Sequence, residues 1–310
     1  MIISCGRDLK EDETTAAIRE IPMSVKVDRF DKRFAFAKAE EIPTLRAEYP
    51  FLFNQRTSDS VWIGRLNDTI QQEINEEVLK VFPTLEPYQE DLKFTYQALD
   101  YHFSRFQPPR LYTVTSYVDY RNRVLVADTL LFVSLDAFLG KNHHFYDGFA
   151  RYQAQSLSPD HLVPAVAQAY AQEYVPPAQG RTLLDLMVHW GKVRYVMSQI
   201  LNGASDAKVM DYTDEEWQYA EEVEDNVYRY FISKEYLYTT DPRVQKRFIL
   251  PAPFTKFGLE IDNDTPGRMG QYLGYKIVQS FMKENNLTLE QLIVYPETKL
   301  FKESKYKPAR

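Results

Sequence analysis

Five histidines, one cysteine and a dense run of acids are the side chains here that could ligate a metal or carry a covalent step. The histidines are His102, His143, His144, His161 and His189. A zinc peptidase helix needs His-Glu-x-x-His, which places two imidazoles and a general base on one face. That spacing is absent. His143 and His144 are sequential and cannot share a helix face. With Asp147 they suit a surface pair beside a turn better than a metal site. His161 opens an apolar segment that offers no second histidine. There is no Gly-x-Ser-x-Gly nucleophile turn, and the 11 glycines are too thinly spread before residue 258 to cradle a phosphate. Asp262 to Gly267 has the look of a calcium loop, but its fifth and twelfth positions fall on Pro266 and Leu273, which cannot ligate. A turn that starts a helix, with Asp264 or Thr265 capping its amides, fits better. The acids from Asp211 to Asp225 suit a helix start and a solvent face. These residues predict no catalytic group, no metal and no cofactor.

Cys5 is the single cysteine, so it has no intrachain disulfide partner. It follows Ile2-Ile3-Ser4 and precedes Gly6, which fits the apolar–aliphatic–small–Cys pattern of a bacterial lipidation site. The charged and apolar leader that such a site requires is expected ahead of these residues. The polar run from Gly6 to Thr15 reads as a tether between lipid and domain. A lipid chain adds about 0.8 kcal/mol per buried methylene, so several chains hold a soluble domain on a bilayer. The expected organisation is therefore a lipidated tether over residues 1–22 and one domain over 23–310.

The segment Pro266 to Val278 carries Gly267, Gly270 and Gly274. Each glycine inside a helix costs about 1 kcal/mol relative to alanine, so something must offset it. Gly270 and Gly274 lie one turn apart on one face, beside a core stripe of Met269, Leu273, Ile277 and Phe281. Either another backbone packs close there, or the face lines a cleft for a peptide.

The elements that must position these residues follow from periodicity. Met23 to Phe36 alternates apolar and charged and predicts an edge strand. Helical spacing predicts helices over Thr69 to Val81 and Glu86 to Phe106. Leu111 to Thr115, Arg123 to Ala127 and Leu130 to Leu135 are β-branched and aromatic, with a turn at Tyr120 to Asn122. They predict a small antiparallel sheet. Ser158-Pro159 starts a helix through Tyr170. Gly180 and Thr182 open another that buries Leu183 to Ile200. Capping boxes begin at Thr213, with one long helix to Tyr238, and at Thr288. The fold class is α+β, mainly helical, with the sheet in the N-terminal half. A hydrophobic fraction of 44% and a charged fraction of 26% are those of a globular protein. The 22 tyrosines and 19 phenylalanines predict ring-rich clefts. A net charge of −7 with scattered Lys and Arg argues against a nucleic-acid partner. No run of 18 apolar residues exists to span a bilayer.

Several motifs, taken in order, carry a resemblance. They are Asp28-Arg29-Phe30-Asp31, Asp211 to Trp217, Tyr230-Phe231-Ile232 and Leu237 to Asp241. Ala252 to Phe257, Pro266 to Gly274 and Phe301 to Pro308 complete the set. Together they resemble the gliding motility lipoprotein GldB family of Bacteroidetes. The resemblance implies a lipoprotein of the gliding machinery and its associated type IX secretion system. It would be anchored through Cys5 in the cell membrane or outer membrane, face the periplasm and bind protein partners of the envelope. The family in turn looks similar to zincin-type metallopeptidases. In those, a second helix supplies a glutamate ligand; here that helix reads Val188-His189-Trp190-Gly191-Lys192, with Trp190 at the place of the acid. The implied reading is a zincin-like binding scaffold without catalysis. Two alternatives stay open. One is a metal-dependent peptidase with atypical ligands such as His161 or His189. The other is a peptide- or glycan-binding module in an aromatic cleft near His189, Trp190, Gly267, Gly270 and Gly274.

Overall fold

The computed structural model describes residues 13–258, 262 and 264–308. Cys5, and the lipidation expected there, lie outside the described residues. The described chain begins with a helix, Glu13–Arg19, where the sequence predicted a flexible tether through residue 22. Its Ile18 is buried in the main core. Gln97 Nε2 donates to the carbonyls of Arg19 and Ile21 at 2.9 and 2.7 Å, which ties this segment to the Glu86–His102 helix. The packed body therefore starts earlier than residue 23.

Four strands form one sheet: β1 Lys26–Asp28, β2 Arg110–Val114, β3 Val124–Ala127 and β4 Leu130–Ser134, in the order β1-β2-β4-β3. Only β3 and β4 pair antiparallel; β2 runs parallel to both β1 and β4. The sheet is thus mixed, which corrects the antiparallel expectation. The reason lies between β2 and β3. That segment does not make a hairpin: Tyr117 and Val118 take left-handed backbone angles, φ 54° and 58°, and the Tyr120–Asn122 turn follows before β3 begins. The buried Asp136 carboxylate accepts from the Ser116 and Val118 amides at 3.0 and 2.7 Å and locks that turn. The chain then reaches the far edge of the sheet before returning as β3. The hairpin sits one step later, at Asp128, φ 52°.

The predicted strand over Met23 to Phe36 also stops early. After Asp28 the chain turns into the helix Phe30–Ala35. Phe30 and Phe34, one turn apart, enter a small second core with Ile42, Leu45 and Phe53. The helix expected from Thr213 to Tyr238 forms in three pieces: Asp214–Glu222, Glu224–Ser233 and a short turn Tyr236–Tyr238. At the first break Glu224 turns inward and accepts from Tyr272 and Tyr306 hydroxyls at 2.7 and 2.8 Å. An unbroken helix would have to keep its axis straight through that point.

The helices that dominate the core are Leu162–Tyr174, Leu183–Ile200 and Met269–Glu284. Thr182 caps the second: its hydroxyl accepts from the Asp185 amide at 3.2 Å, and the Asp185 carboxylate accepts from the Thr182 amide at 2.8 Å. This helix crosses Met269–Glu284 at backbone contact. A Cβ on Gly191 would fall on the Gly274 carbonyl, and a Cβ on Gly274 would fall on the Met187 carbonyl. Among the described residues no helix is long and apolar enough to cross a membrane.

Candidate functional site

The site is best built outward from Arg194. It lies in the middle of the Leu183–Ile200 helix, between Val193 and Val196, and only 2% of it is exposed. A guanidinium so buried must find acceptors or be excluded from the core. Its Nε and Nη2 donate to Gln271 Oε1 at 3.1 and 2.9 Å. Its Nη1 donates to the Val209 carbonyl at 2.9 Å and, more weakly, to Gln168 Oε1 at 3.4 Å. Gln271 is itself anchored through its amide to the Ile249 carbonyl at 2.7 Å. All these acceptors are neutral. Burial, reinforced by the nearby Arg268 charge, lowers the Arg194 pKa to about 10, which leaves it cationic at neutral pH.

Arg194 forms the floor of a cleft of about 660 Å³, within the range of small-molecule and peptide sites. One wall carries Arg268 and Asp211. Arg268 donates from Nη2 to the Asp211 carbonyl at 2.7 Å, and its Nη1 lies 3.3 Å from Asp211 Oδ2. Both residues hold left-handed backbone angles, φ 66° and 57°, which non-glycine residues adopt rarely and which cluster where a fold holds functional groups in place. The Tyr212 hydroxyl donates to the Gly267 carbonyl and locks the same wall. Burial alone would raise the Asp211 pKa. The contact with His161 and the nearby Arg268 and Arg123 guanidinium groups outweigh it and hold the carboxyl at about 2. Asp211 Oδ1 nonetheless has no well-formed hydrogen bond; His161 Nε2 is 3.3 Å away but poorly aligned.

The opposite wall carries Arg123, at the end of the Tyr120–Asn122 turn. Its Nη1 donates to the Ser156 carbonyl and hydroxyl at 2.7 and 3.1 Å, and its guanidinium lies 5.1 Å from the Phe138 ring centre. Its Nε and Nη2 make no hydrogen bond to the described residues, and no carboxylate there pairs with it. Arg121 stands on the rim. Against these four guanidinium groups the cleft sets two carboxylates, Asp211 and Glu216. Glu216 is already engaged by the Thr213 amide at 2.8 Å and by Gln155 Nε2 at 3.2 Å. The cleft is therefore locally cationic in a chain of net charge −7. Trp190, Tyr120 and Tyr152 supply aromatic walls, and Ile249 to Pro251 an apolar lip.

Of the residues singled out from sequence, Trp190 and Gly267 line this cleft. His189 does not: its Nδ1 donates to the Pro176 carbonyl at 3.0 Å, and burial lowers its pKa. Gly270 and Gly274 face backbone rather than open space. A Cβ on Gly270 would lie 2.8 Å from the Phe248 carbonyl, and Gly274 is closed by Met187. A Cβ on Gly267 would likewise fall on the Ala252 carbonyl. Among the described residues no group of three or more His, Cys, Asp and Glu side chains is placed to hold a metal. His143 and His144 stack on each other and face Glu77 and Glu73 of the Thr69–Val81 helix. Ser158, His161 and Asp211 stand in a row that has the order of a hydrolase triad, with Ser158 Oγ 2.9 Å from His161 Nδ1. The Ser158 hydroxyl, however, donates to Asp160, and His161 bridges two carboxylates, so the row is an ion-paired cluster at a helix start.

Sequence reasoning missed Arg123, Arg194, Arg268 and Gln271. Arg194 left a signal: together with Lys192 it places a cation inside an otherwise apolar helix, and Lys and Arg are almost never fully buried without a partner. Arg123 left none, because a turn-end arginine ordinarily faces solvent.

The motifs far apart in sequence meet around this region. Asp211 pairs with Arg268, Trp217 packs edge-on against Tyr272, Thr255 Oγ1 donates to the Pro266 carbonyl at 2.6 Å, and the Tyr230 hydroxyl donates to the Phe257 carbonyl at 2.7 Å. A family model described as gliding motility protein GldB matches residues 11–308. No curated protein and no solved structure matches the chain.

Proposed function

The chain belongs to the GldB family of gliding motility proteins, and from that premise we propose a lipid-anchored envelope component that binds a protein partner in its cleft without catalysing a reaction. Cys5 is the proposed lipid acceptor, and the body faces the periplasm from the cell membrane or outer membrane. The proposed partners are proteins of the gliding apparatus and its type IX secretion system.

The observation that carries the non-catalytic reading is the set of side chains at the cleft floor. The order of elements, a mixed sheet followed by the Leu162–Tyr174 and Leu183–Ile200 helices, is that expected of a zincin-like scaffold. The side chains those helices turn to the cleft are Gln168, Trp190 and Arg194. A guanidinium and an indole cannot ligate zinc, and an amide is a poor ligand beside a fixed positive charge. The same three groups do suit recognition: aromatic area, amide donors and acceptors, and a cation.

A strain lacking the gene, complemented in turn with the wild-type chain, Cys5→Ala and Arg194→Gln, tests both halves through colony spreading. Wild type is expected to restore spreading, Cys5→Ala to lose membrane retention and spreading together, and Arg194→Gln to stay membrane-bound yet spread poorly. Stoichiometric zinc in the purified protein together with peptide hydrolysis would overturn the non-catalytic reading.

A further inference from the structure

We infer that the cleft recognises a carboxylate presented by a peptide segment, an Asp or Glu side chain or a C-terminal carboxylate, with Arg123 as the primary contact. This rests on the binding-scaffold reading above and names the ligand class of the same cleft.

Three observations lead there. First, the charges in the cleft do not balance from within. Arg268 is matched by Asp211, and Glu216 is occupied by neutral donors. Arg121, Arg123 and Arg194 remain; none has a carboxylate in ion-pair range among the described residues, and Asp211, which attracts Arg123 and Arg194 at longer range, is shared with Arg268 and His161. Arg194 is fully buried with its donors spread over two glutamine side chains, one carbonyl and the Met197 sulfur, none of them charged. Taking a cation out of water without a counter-ion is unfavourable, so a site that keeps one favours an incoming anion.

Second, Arg123 is presented rather than merely present. Ser156 holds one of its amino groups at two points, and Phe138 lies under its guanidinium. Its Nε and second amino group are left as a fixed pair of N–H donors. That fork matches the two oxygens of a carboxylate, and little side-chain freedom remains to be lost when they meet.

Third, the surroundings of the charge suit a peptide. Trp190, Tyr120 and Tyr152 offer ring faces, and Ile249 to Pro251, where the chain leaves the Pro242–Ile249 helix, form an apolar lip with Leu250 47% exposed. A free inorganic anion would use none of these. Because the rest of the chain is acidic, this pocket is also set apart from its own surface by charge sign.

The test uses the purified chain and two probes, acetyl-Ala-Ala-Glu with a free terminal carboxylate and its uncharged counterpart acetyl-Ala-Ala-Gln-amide. Binding is followed by tryptophan fluorescence and calorimetry, and inorganic phosphate serves as competitor. The acidic probe is expected to bind saturably, at least about 10-fold tighter than the neutral one, and to weaken with salt. Arg123→Gln should remove that preference while the protein stays folded, with a modest fall in unfolding temperature from the lost Ser156 contacts, and Arg123→Lys should restore only part of it. Equal binding of both probes, no saturable binding up to about 10 mM, or phosphate binding tighter than the peptide would overturn the inference. Mass analysis of the recovered probe separates the two claims. A cleaved probe defeats the non-catalytic reading, whereas an intact probe bound without charge preference defeats only this inference.

Discussion

Two cations lie two residues apart on the Leu183–Ile200 helix and meet opposite fates. Lys192 reaches the closed side of the molecule. Its Nζ sits 3.0 Å from Glu297 Oε1 and donates to the Tyr295 carbonyl at 2.5 Å, and both side chains are almost wholly buried. Burial lowers the Lys192 pKa and Glu297 opposes that shift. Arg194 turns to the open side, where two glutamine side chains, a carbonyl and the Met197 sulfur, all uncharged, receive it. The first arrangement is complete. The second is satisfied in hydrogen bonds but not in charge. A buried cation with a dedicated carboxylate stabilises one packing; a buried cation without one leaves affinity for an anion from outside.

The comparison can be broken at the crossing that positions both side chains. Gly274→Leu would drive its side chain into the Met187 carbonyl. The expected outcome is loss of the folded state, above about 4 kcal/mol, read by chemical denaturation. A variant that folds normally would mean that the two helices do not touch as described.

Next in size is Lys192→Met, which strands the Glu297 carboxylate. The expected cost is about 3–5 kcal/mol. Adding Glu297→Leu should recover most of it, since a buried pair replaced by apolar groups of similar volume is often neutral. Arg194→Met should cost less, about 1–3 kcal/mol, because it strands only neutral acceptors and removes an uncompensated charge. If Arg194→Met proves as damaging as Lys192→Met, the guanidinium is a structural group and the contrast disappears.

Acidification gives the smallest effect and separates the cleft from the rest of the fold. Burial depresses the His102 pKa to about 4, whereas an unfolded histidine titrates near about 6.5. The folded value lies below the unfolded one. The His102 contribution is therefore complete above about pH 6.5 and declines as pH falls toward about 4. Asp211, held at about 2, keeps its charge throughout that window. Stability should therefore fall as pH drops from about 6.5 toward about 4, while peptide binding by the cleft stays level down to about pH 5.5, where the probe is still ionised. His102→Gln should make that fall shallower, with His189, also depressed by burial, contributing the remainder, and leave binding untouched.

Local signals carried most of the helices. The capping boxes at Thr182, Thr213 and Thr288 all form, since each needs only residues three apart. The same locality explains the errors. The strands were legible from their β-branched runs, but their pairing was not, because whether β2 meets β3 or β4 depends on the course of the segment after it, which the distant Asp136 carboxylate holds. The Thr213 helix broke where Glu224 found two tyrosines from distant segments.

The amino-acid order alone thus determined the family, the mainly helical α+β class and the need for close approach at the glycines, because these depend on residues near one another or on types that fit few conformations. Tertiary structure alone decided that the glycines meet backbone, that Trp190 and Gly267 share a cleft, and that Arg123, Arg194 and Arg268 converge on it. The physical reason is that a charge acquires its role from what surrounds it. An arginine reads the same in sequence whether water, a carboxylate or a carbonyl lies opposite, and only the assembled fold settles which.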